Sequence, residues 1–511
     1  MGVRRTLADG GGTIVDTVDV IVVGAGPNGL AAAVTMARAG LSVRVYEKAD
    51  VIGGGSRTAE LTLPGFRHDI CSAVHPMAYA SAFFRRFGLA ERIPFVLPEV
   101  SYGHPLDGGR AGIAYRDIER TVESLGVDGH AWKTLMGPLA RHADQVARTT
   151  GSSLLQAPPH PLTFARFGIR ALEQGTVAWN LRWKEDVAPA MLAGVAAHAI
   201  RPMPSLATAA GGLMLGTYAH DRGWPIPVGG SQSIVDAMAA DVVAHGGEIV
   251  TGTEITSLAE LPKARAVLFD VSPRALVRIA GSRMPARYER ALKRFRYGNG
   301  AAKVDYALSG PVPWTNPELH RASTLHVGGT RAELVAAEKD VARGRHSERP
   351  YVLASQPTTF DPSRAPEGKH VLWAYAHVPQ YSTVDQTEVV TAQIERFAPG
   401  FRDLILASSS TTGIEMERYN PNYIGGDIAV GAPSMRQLVA RPVFSADPWR
   451  TPMPGVYLCS SSTPPGPGVH GLAGWHAAAS ALRHEFGMHG TPALGIEQPP
   501  MQTLQNSGAA A

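Results

Sequence analysis

The chain has 511 residues, of which 44% are hydrophobic and 18% charged, enough apolar material to bury large cores in more than one domain. Its 48 basic and 44 acidic residues leave a net charge of +4, dispersed without a lysine/arginine block, which gives nucleic-acid binding no support. Two cysteines, Cys71 and Cys459, cannot build a disulfide framework or a metal site, and no apolar stretch is long enough to span a membrane. The opening residues carry Arg4 and Arg5 but no apolar run, so a secretory signal is not expected and a reducing cytoplasm suits the low cysteine count. Residues 1–16 and 491–511 read as flexible tails.

The first structured segment is the most informative. An apolar run, Val20 to Val23, meets Gly24-Ala-Gly26-Pro27-Asn28-Gly29, then a helix-like stretch, Gly40, a second apolar strand and the acid Glu47, followed by Lys48. Gly24 suits a tight turn out of a strand, Gly26 lets a pyrophosphate approach the backbone, and Gly29 permits close helix packing. The helix N-terminus then offers unpaired N–H groups to phosphates. Glu47 stands 18 residues beyond Gly29, where a carboxylate can accept both ribose hydroxyls. A second glycine patch follows at once, Gly53-Gly54-Gly55-Ser56-Arg57-Thr58, which simple NAD dehydrogenases do not need but an extended flavin dinucleotide does.

Residues 17–81 therefore read as the first part of a dinucleotide-binding domain, and 82–224 as a mostly helical first part of a substrate domain. The helices expected there are Glu119–Leu125, His130–Arg148, Leu162–Trp183 and Val187–Ala199, broken by proline clusters at 157–161 and 201–204. Within them Phe164, Phe167 and Leu172 lie among Arg166 and Arg170, a pattern for a packed amphipathic helix or for docking on a bilayer surface. Residues 225–296 return to the nucleotide domain: Pro225-Ile-Pro-Val-Gly-Gly precedes a helix with Ile234, Met238 and Val242 at spacing four, then a strand leading to Ile255. Residues 297–442 alternate in polarity, as in 301–308 and 370–378, and suit an antiparallel sheet with one cavity-facing side. Residues 443–490 close the nucleotide domain, with a strand through Tyr457 and Cys459, a turn rich in glycine and proline, and a small-residue helix after Gly468-Val469-His470-Gly471.

On Gly24, Gly26, Gly29, Glu47, Gly53, Gly54 and Arg57, and on the two later segments in the same order, the chain resembles the FAD-dependent phytoene desaturase-like superfamily, which extends to the amine oxidases. It is most similar to the bacterial NAD(P)/FAD-dependent oxidoreductase branch, which includes the proteins named pyridine nucleotide-disulfide oxidoreductase domain-containing protein 2. The resemblance implies an α/β fold: a Rossmann-type FAD-binding domain interleaved with an α+β substrate domain whose antiparallel sheet is backed by helices. It also implies non-covalent FAD, with Arg57 near the phosphates or flavin, Ile255 at the adenine through its backbone, and the N–H groups of Val469, His470 and Gly471 at the flavin's negative edge. Two departures stand out. The position beside the double glycine, often arginine in phytoene desaturases, is Gly55 here, and Tyr457 lacks the second aromatic with which amine oxidases line the flavin.

A flavin carries the hydride chemistry itself, so the protein must supply orientation, water exclusion and sometimes a base. His75, Tyr218 and His470 are the candidate catalytic side chains, with Trp224 as cavity wall and no metal expected. The implied activity is hydride transfer between a largely apolar small molecule and flavin, as a desaturase or dehydrogenase of C–C or C–N bonds. Oxygen or a quinone would accept the electrons, and NAD(P)H is a further candidate partner, whose reduction of the flavin would have to occur at the substrate face. The alternatives are a flavin-dependent isomerase or saturase of a polyene or lipid, and a flavin-bound scaffold with vestigial redox activity.

Overall fold

The computed structural model describes residues 17–496. Residues 1–16 and 497–511, parts of the expected tails, lie outside the described residues. The remainder of the second tail is not loose: Leu494 is buried against the nucleotide-domain core, and the Gly495 carbonyl accepts a hydrogen bond from Arg38.

Two sheets organise the molecule. The first has five parallel strands in the order Val456–Leu458, Ala266–Phe269, Val20–Val23, Val43–Tyr46 and Glu248–Val250. Its strands come from the beginning, middle and end of the chain, and non-sequential neighbours demand the helical crossovers that parallel pairing imposes. Helix Pro27–Arg38 crosses its face with Pro27 at the first position, where the missing N–H costs nothing. Residues 28–37 of this helix are all buried. Its alanines pack against Ala473, Gly474, Ala477 and Ala478 of helix Leu472–Phe486, so two small-residue faces bring the helices into close contact. A Cβ on Gly474 would lie 1.8 Å from the Asn28 carbonyl oxygen.

The second sheet has seven strands, in the order Ile405–Thr411, Gly300–Leu308, His370–Val378, Val352–Ser355, Ala322–Val327, Val100–Pro105 and Ala111–Tyr115. Pairing is antiparallel except between Ala322–Val327 and Val100–Pro105. Alternation divides the faces: Val304, Tyr306, Leu372 and Ala374 pack beneath helix Thr387–Glu395, while Trp373 and Tyr375 turn to the opposite side. The 82–224 stretch thus supplies two strands as well as helices. Those strands are buried almost throughout and carry no alternation for a sequence reading to detect.

Helices also differ in their bounds. The long helix expected over 130–148 is Gly129–Ala140 and Ala143–Thr150, broken at Arg141-His142, and that expected over 162–183 ends at Gln174. The central helix of this layer is Leu206–Asp221, whose Ser205 and Thr208 form a capping box.

Candidate active site

A cavity of about 770 Å³ runs between the two sheets. One end is the nucleotide loop. Gly24, Gly26, Pro27 and Asn28 line it, followed by Glu47, Lys48 and Ile255, and then Gly54, Gly55 and Arg57. Glu47 is buried and oriented by backbone: Oε2 accepts the Ala25 N–H at 2.9 Å and Oε1 the Ala49 N–H at 2.9 Å. Arg57 reaches Glu47 at 3.4 Å, donates to the Ile52 carbonyl and lies over the Tyr419 ring at 5.3 Å. Lys48 pairs with Glu254 at the rim.

Three other expected contact residues serve the frame. Gly29 lies behind the wall, and a Cβ there would meet the Gly24 carbonyl oxygen at 2.0 Å. Gly53, at φ +121, turns the chain toward Arg57, and Ser56 is fully buried beneath it. Gly55 explains the family departure, because a Cβ there would stand 2.3 Å from the Tyr423 hydroxyl and no larger residue fits.

At the C-terminal turn, Gly468 and Val469 line the cavity together with Ser460 and Ser461. His470 and Gly471 do not. The His470 ring is wholly enclosed, with Nδ1 accepting the Leu472 N–H at 2.9 Å and Nε2 donating to the Gly466 carbonyl at 3.0 Å. Burial pushes its pKa down to about 4. Both nitrogens are engaged by backbone, so His470 shapes the turn and is not an acid or base toward a ligand. Gly471 faces Phe83 and Ala31 in the core.

Tyr218 is likewise withdrawn from the cavity. It lies one turn beyond Met214 and Leu215, which do line it, and its hydroxyl faces Thr150 at 3.4 Å. His75 does line the wall: its Nε2 meets Ser231 Oγ at 2.8 Å, its Nδ1 has no partner among the described residues, and burial lowers its pKa to about 4. Trp224 forms wall, donating to the Leu215 carbonyl at 3.3 Å. Tyr457 points away, its hydroxyl on Glu485 at 2.8 Å.

Several residues escaped the sequence reading. Asp270, at the end of strand Ala266–Phe269, directs Oδ2 at the Gly29 N–H (2.9 Å) and lines the cavity beside Gly26. Burial raises its pKa to about 7, the Gly29 hydrogen bond opposing and the Glu47 charge adding to the rise. Asp69 and Arg364 form a fully buried ion pair at 2.7 Å. Burial opposes ionisation of Asp69, but Arg364, the Ser231 N–H and Thr58 together hold its carboxyl below the ordinary range. Lys303 pairs with Asp305 beneath Trp373 and is also buried. On the same sheet face His198 and His326 share a hydrogen bond, Nε2 to Nε2, at 2.9 Å. The available signal was polar residues at spacing two inside apolar strands, 303/305 and 324/326, which place several polar side chains on one buried face.

Residues 22–87 match the model of the NAD(P)-binding Rossmann-like domain. Pyridine nucleotide-disulfide oxidoreductase domain-containing protein 2 of Rattus norvegicus is 25% identical, over 94% of this chain and 96% of that protein. The phytoene dehydrogenase of Streptomyces griseus is 30% identical, over 77% of this chain and 79% of its own length. The chain belongs to the phytoene dehydrogenase (phytoene desaturase-like) family of oxidoreductases. Its fold is shared more widely: the solved cyclohexylamine oxidase of Brevibacterium oxydans IH-35A superposes with a TM-score of 0.56 at 18% identity, covering 91% of this chain and 98% of that one. In this phytoene dehydrogenase relative, the expected Rossmann-type domain interleaved with an α+β domain is what the two sheets form. Among the described residues no helix is long and apolar enough to cross a membrane.

Proposed function

We propose that the protein is a FAD-dependent oxidoreductase that moves a hydride between a largely apolar small molecule and non-covalently bound flavin, as a desaturase or dehydrogenase of C–C or C–N bonds. The observation that carries this reading is the continuity of the cavity, from the glycine loop and Glu47 into a chamber walled by Phe167, Met214, Leu215 and Trp224. The residues present fit the cofactor. The backbone of Gly24–Asn28 at a helix N-terminus suits a pyrophosphate, the oriented Glu47 carboxylate suits ribose hydroxyls, and Ile255 offers backbone to adenine. Gly54, Gly55 and Arg57 would pass beneath the extended dinucleotide, with Gly468 and Val469 at its far end. When bound, FAD supplies the hydride exchange.

The protein's own residues then orient the reactants and exclude water. Apolar walls from helix Leu206–Asp221 and from Phe167 keep solvent from the substrate. The His470 ring clamps the turn at Gly466 and Leu472, fixing the wall formed by Gly468 and Val469. Oxygen or a quinone is the electron acceptor on this reading. The exposed side chains of Leu162, Ile169, Leu172, Val177 and Leu181, close along the chain to cavity-lining Phe167, support a peripheral bilayer contact at which an apolar substrate would enter.

The visible spectrum of the purified protein under argon, before and after NADH or NADPH, tests the reading. A yellow protein that stays yellow until dithionite is added is the expected result. Bleaching by nicotinamide would replace the desaturase assignment with a reductase or saturase, and a colourless protein that FAD cannot reconstitute would overturn the flavin reading.

A further inference from the structure

The cavity wall formed by the larger sheet is not uniformly apolar. Thr324 and Ser355 face each other across paired strands, Trp373 is the register partner of Ser355, and all three line the cavity. Thr324 Oγ1, Ser355 Oγ and Trp373 Nε1 are buried and have no hydrogen-bond partner among the described residues. Buried polar groups without partners are rare, and several gathered on one cavity wall mark a place where a polar ligand group fits. His326 stands two residues beyond Thr324 on the same face and bonds to His198, whose ring also lines the cavity.

The tautomers follow from the unpaired atoms. His326 Nδ1 is buried with no partner among the described residues. An unpaired buried N–H is less tolerable than an unpaired lone pair, so His326 keeps its proton on Nε2 and donates it to His198. His198 must then carry its own proton on Nδ1. Burial holds His198 neutral, its pKa pushed down to about 3, and lowers His326 as well. Backbone strain lies beside the histidine. Ile200, two residues on, has φ +47, and Val430 has φ +51. Both are β-branched, a poor fit to the left-handed region, and both line this cavity. The buried guanidinium of Arg441 keeps its charge but directs its hydrogen bonds to the carbonyls of Ala429, Val430, Gly431 and Ser461, away from the Thr324–Ser355–Trp373 wall.

We propose that His198 Nδ1–H, with Thr324, Ser355 and Trp373 around it, recognises an uncharged oxygen, a carbonyl or hydroxyl, on an otherwise apolar substrate. The inference rests on this cavity being the substrate site, as the proposed function has it, but not on the flavin. His198 on this view sets substrate choice and position and exchanges no electrons.

Isothermal titration of the purified protein with 2-octanone, 1-octanol and octanoate tests it, alongside the infrared carbonyl stretch of bound 2-octanone. His198→Phe removes the donor and retains apolar volume. The double variant Thr324→Val/Ser355→Ala leaves the histidine pair intact and carries the test if His198→Phe does not fold. The expected result is that each variant binds 2-octanone and 1-octanol about fivefold more weakly, the loss of one neutral hydrogen bond. The bound carbonyl stretch should rise toward its free value in His198→Phe. Unchanged affinities with an unmoved stretch, or octanoate binding more tightly than either neutral probe, would overturn the proposal. A colourless protein that still shows the His198-dependent ketone signal would leave it standing and remove the flavin reading alone.

Discussion

Replacement of Asp270 by asparagine should change how stability depends on pH, because this carboxyl is enclosed at the end of a parallel strand with the Gly29 N–H on Oδ2. Its pKa rises from 3.8 to about 7 in the folded protein. Between those values the folded chain holds a proton that the unfolded chain has released, so stability falls as pH climbs from about 4 through 7. At ~1.4 kcal/mol per pH unit, the displacement corresponds to at most about 4 kcal/mol lost by pH 8. An asparagine side chain at this position would keep the shape and the acceptor for Gly29 and would not titrate. Denaturant unfolding of wild type and Asp270→Asn, followed by tryptophan fluorescence from about pH 4.5 to 8.5, spans the window in which the two states differ in bound protons. It should show an advantage for the variant that is small at the acid end, grows up to about pH 7 and levels off above it. A stability difference that stays constant across the range would refute the assigned protonation. The same geometry predicts FAD affinity that weakens above about pH 7 in wild type and stays flat in the variant, since a charged Asp270 lies beside the proposed pyrophosphate loop.

Gly474→Ala would drive a methyl group into the Asn28 carbonyl, 1.8 Å from its Cβ, and wedge the first and last helices apart. A loss of about 3 kcal/mol is expected in urea unfolding, with reduced FAD retention on gel filtration. Arg364→Met strands the buried Asp69 charge and should cost about 3–5 kcal/mol, most of it recovered when Asp69→Asn is added. His470→Ala should lower stability and loosen cofactor retention while leaving the shape of the pH–rate profile around neutrality unchanged, because this ring titrates near pH 4 and touches only backbone. In liposome flotation the protein should rise with vesicles, and Leu162→Ser/Leu181→Ser should sink, since both leucines are more than 80% exposed in wild type.

Much of the nucleotide half could be read directly from the chain. Gly24, Gly26 and Glu47 belong to one strand–helix–strand unit, with Gly54 and Arg57 in the loop directly after it, where backbone geometry and local spacing set their relations, and all of them line the cavity. The alternation in 301–308 and 370–378 likewise announced strands with a cavity-facing side, because period two is a local property of an extended chain. The residues misplaced by sequence reasoning were those whose role depends on what lies across the cavity. Tyr218 keeps the helix phase of Met214 but sits past the end of the wall, and His470 sits in the right turn with its nitrogens drawn into backbone. Strands Val100–Pro105 and Ala111–Tyr115 lost their signature because both faces are covered. Asp270, the Asp69–Arg364 pair and the His198–His326 pair join residues that are distant along the chain, in the last case by 128 positions. Local sequence thus determined the family, the fold class and the dinucleotide loop, whose parts are neighbours in the chain. Tertiary packing alone decided which polar groups were desolvated together, and hence their protonation and the polar character of the cavity wall, because burial and long-range pairing exist only once the two sheets close on one another.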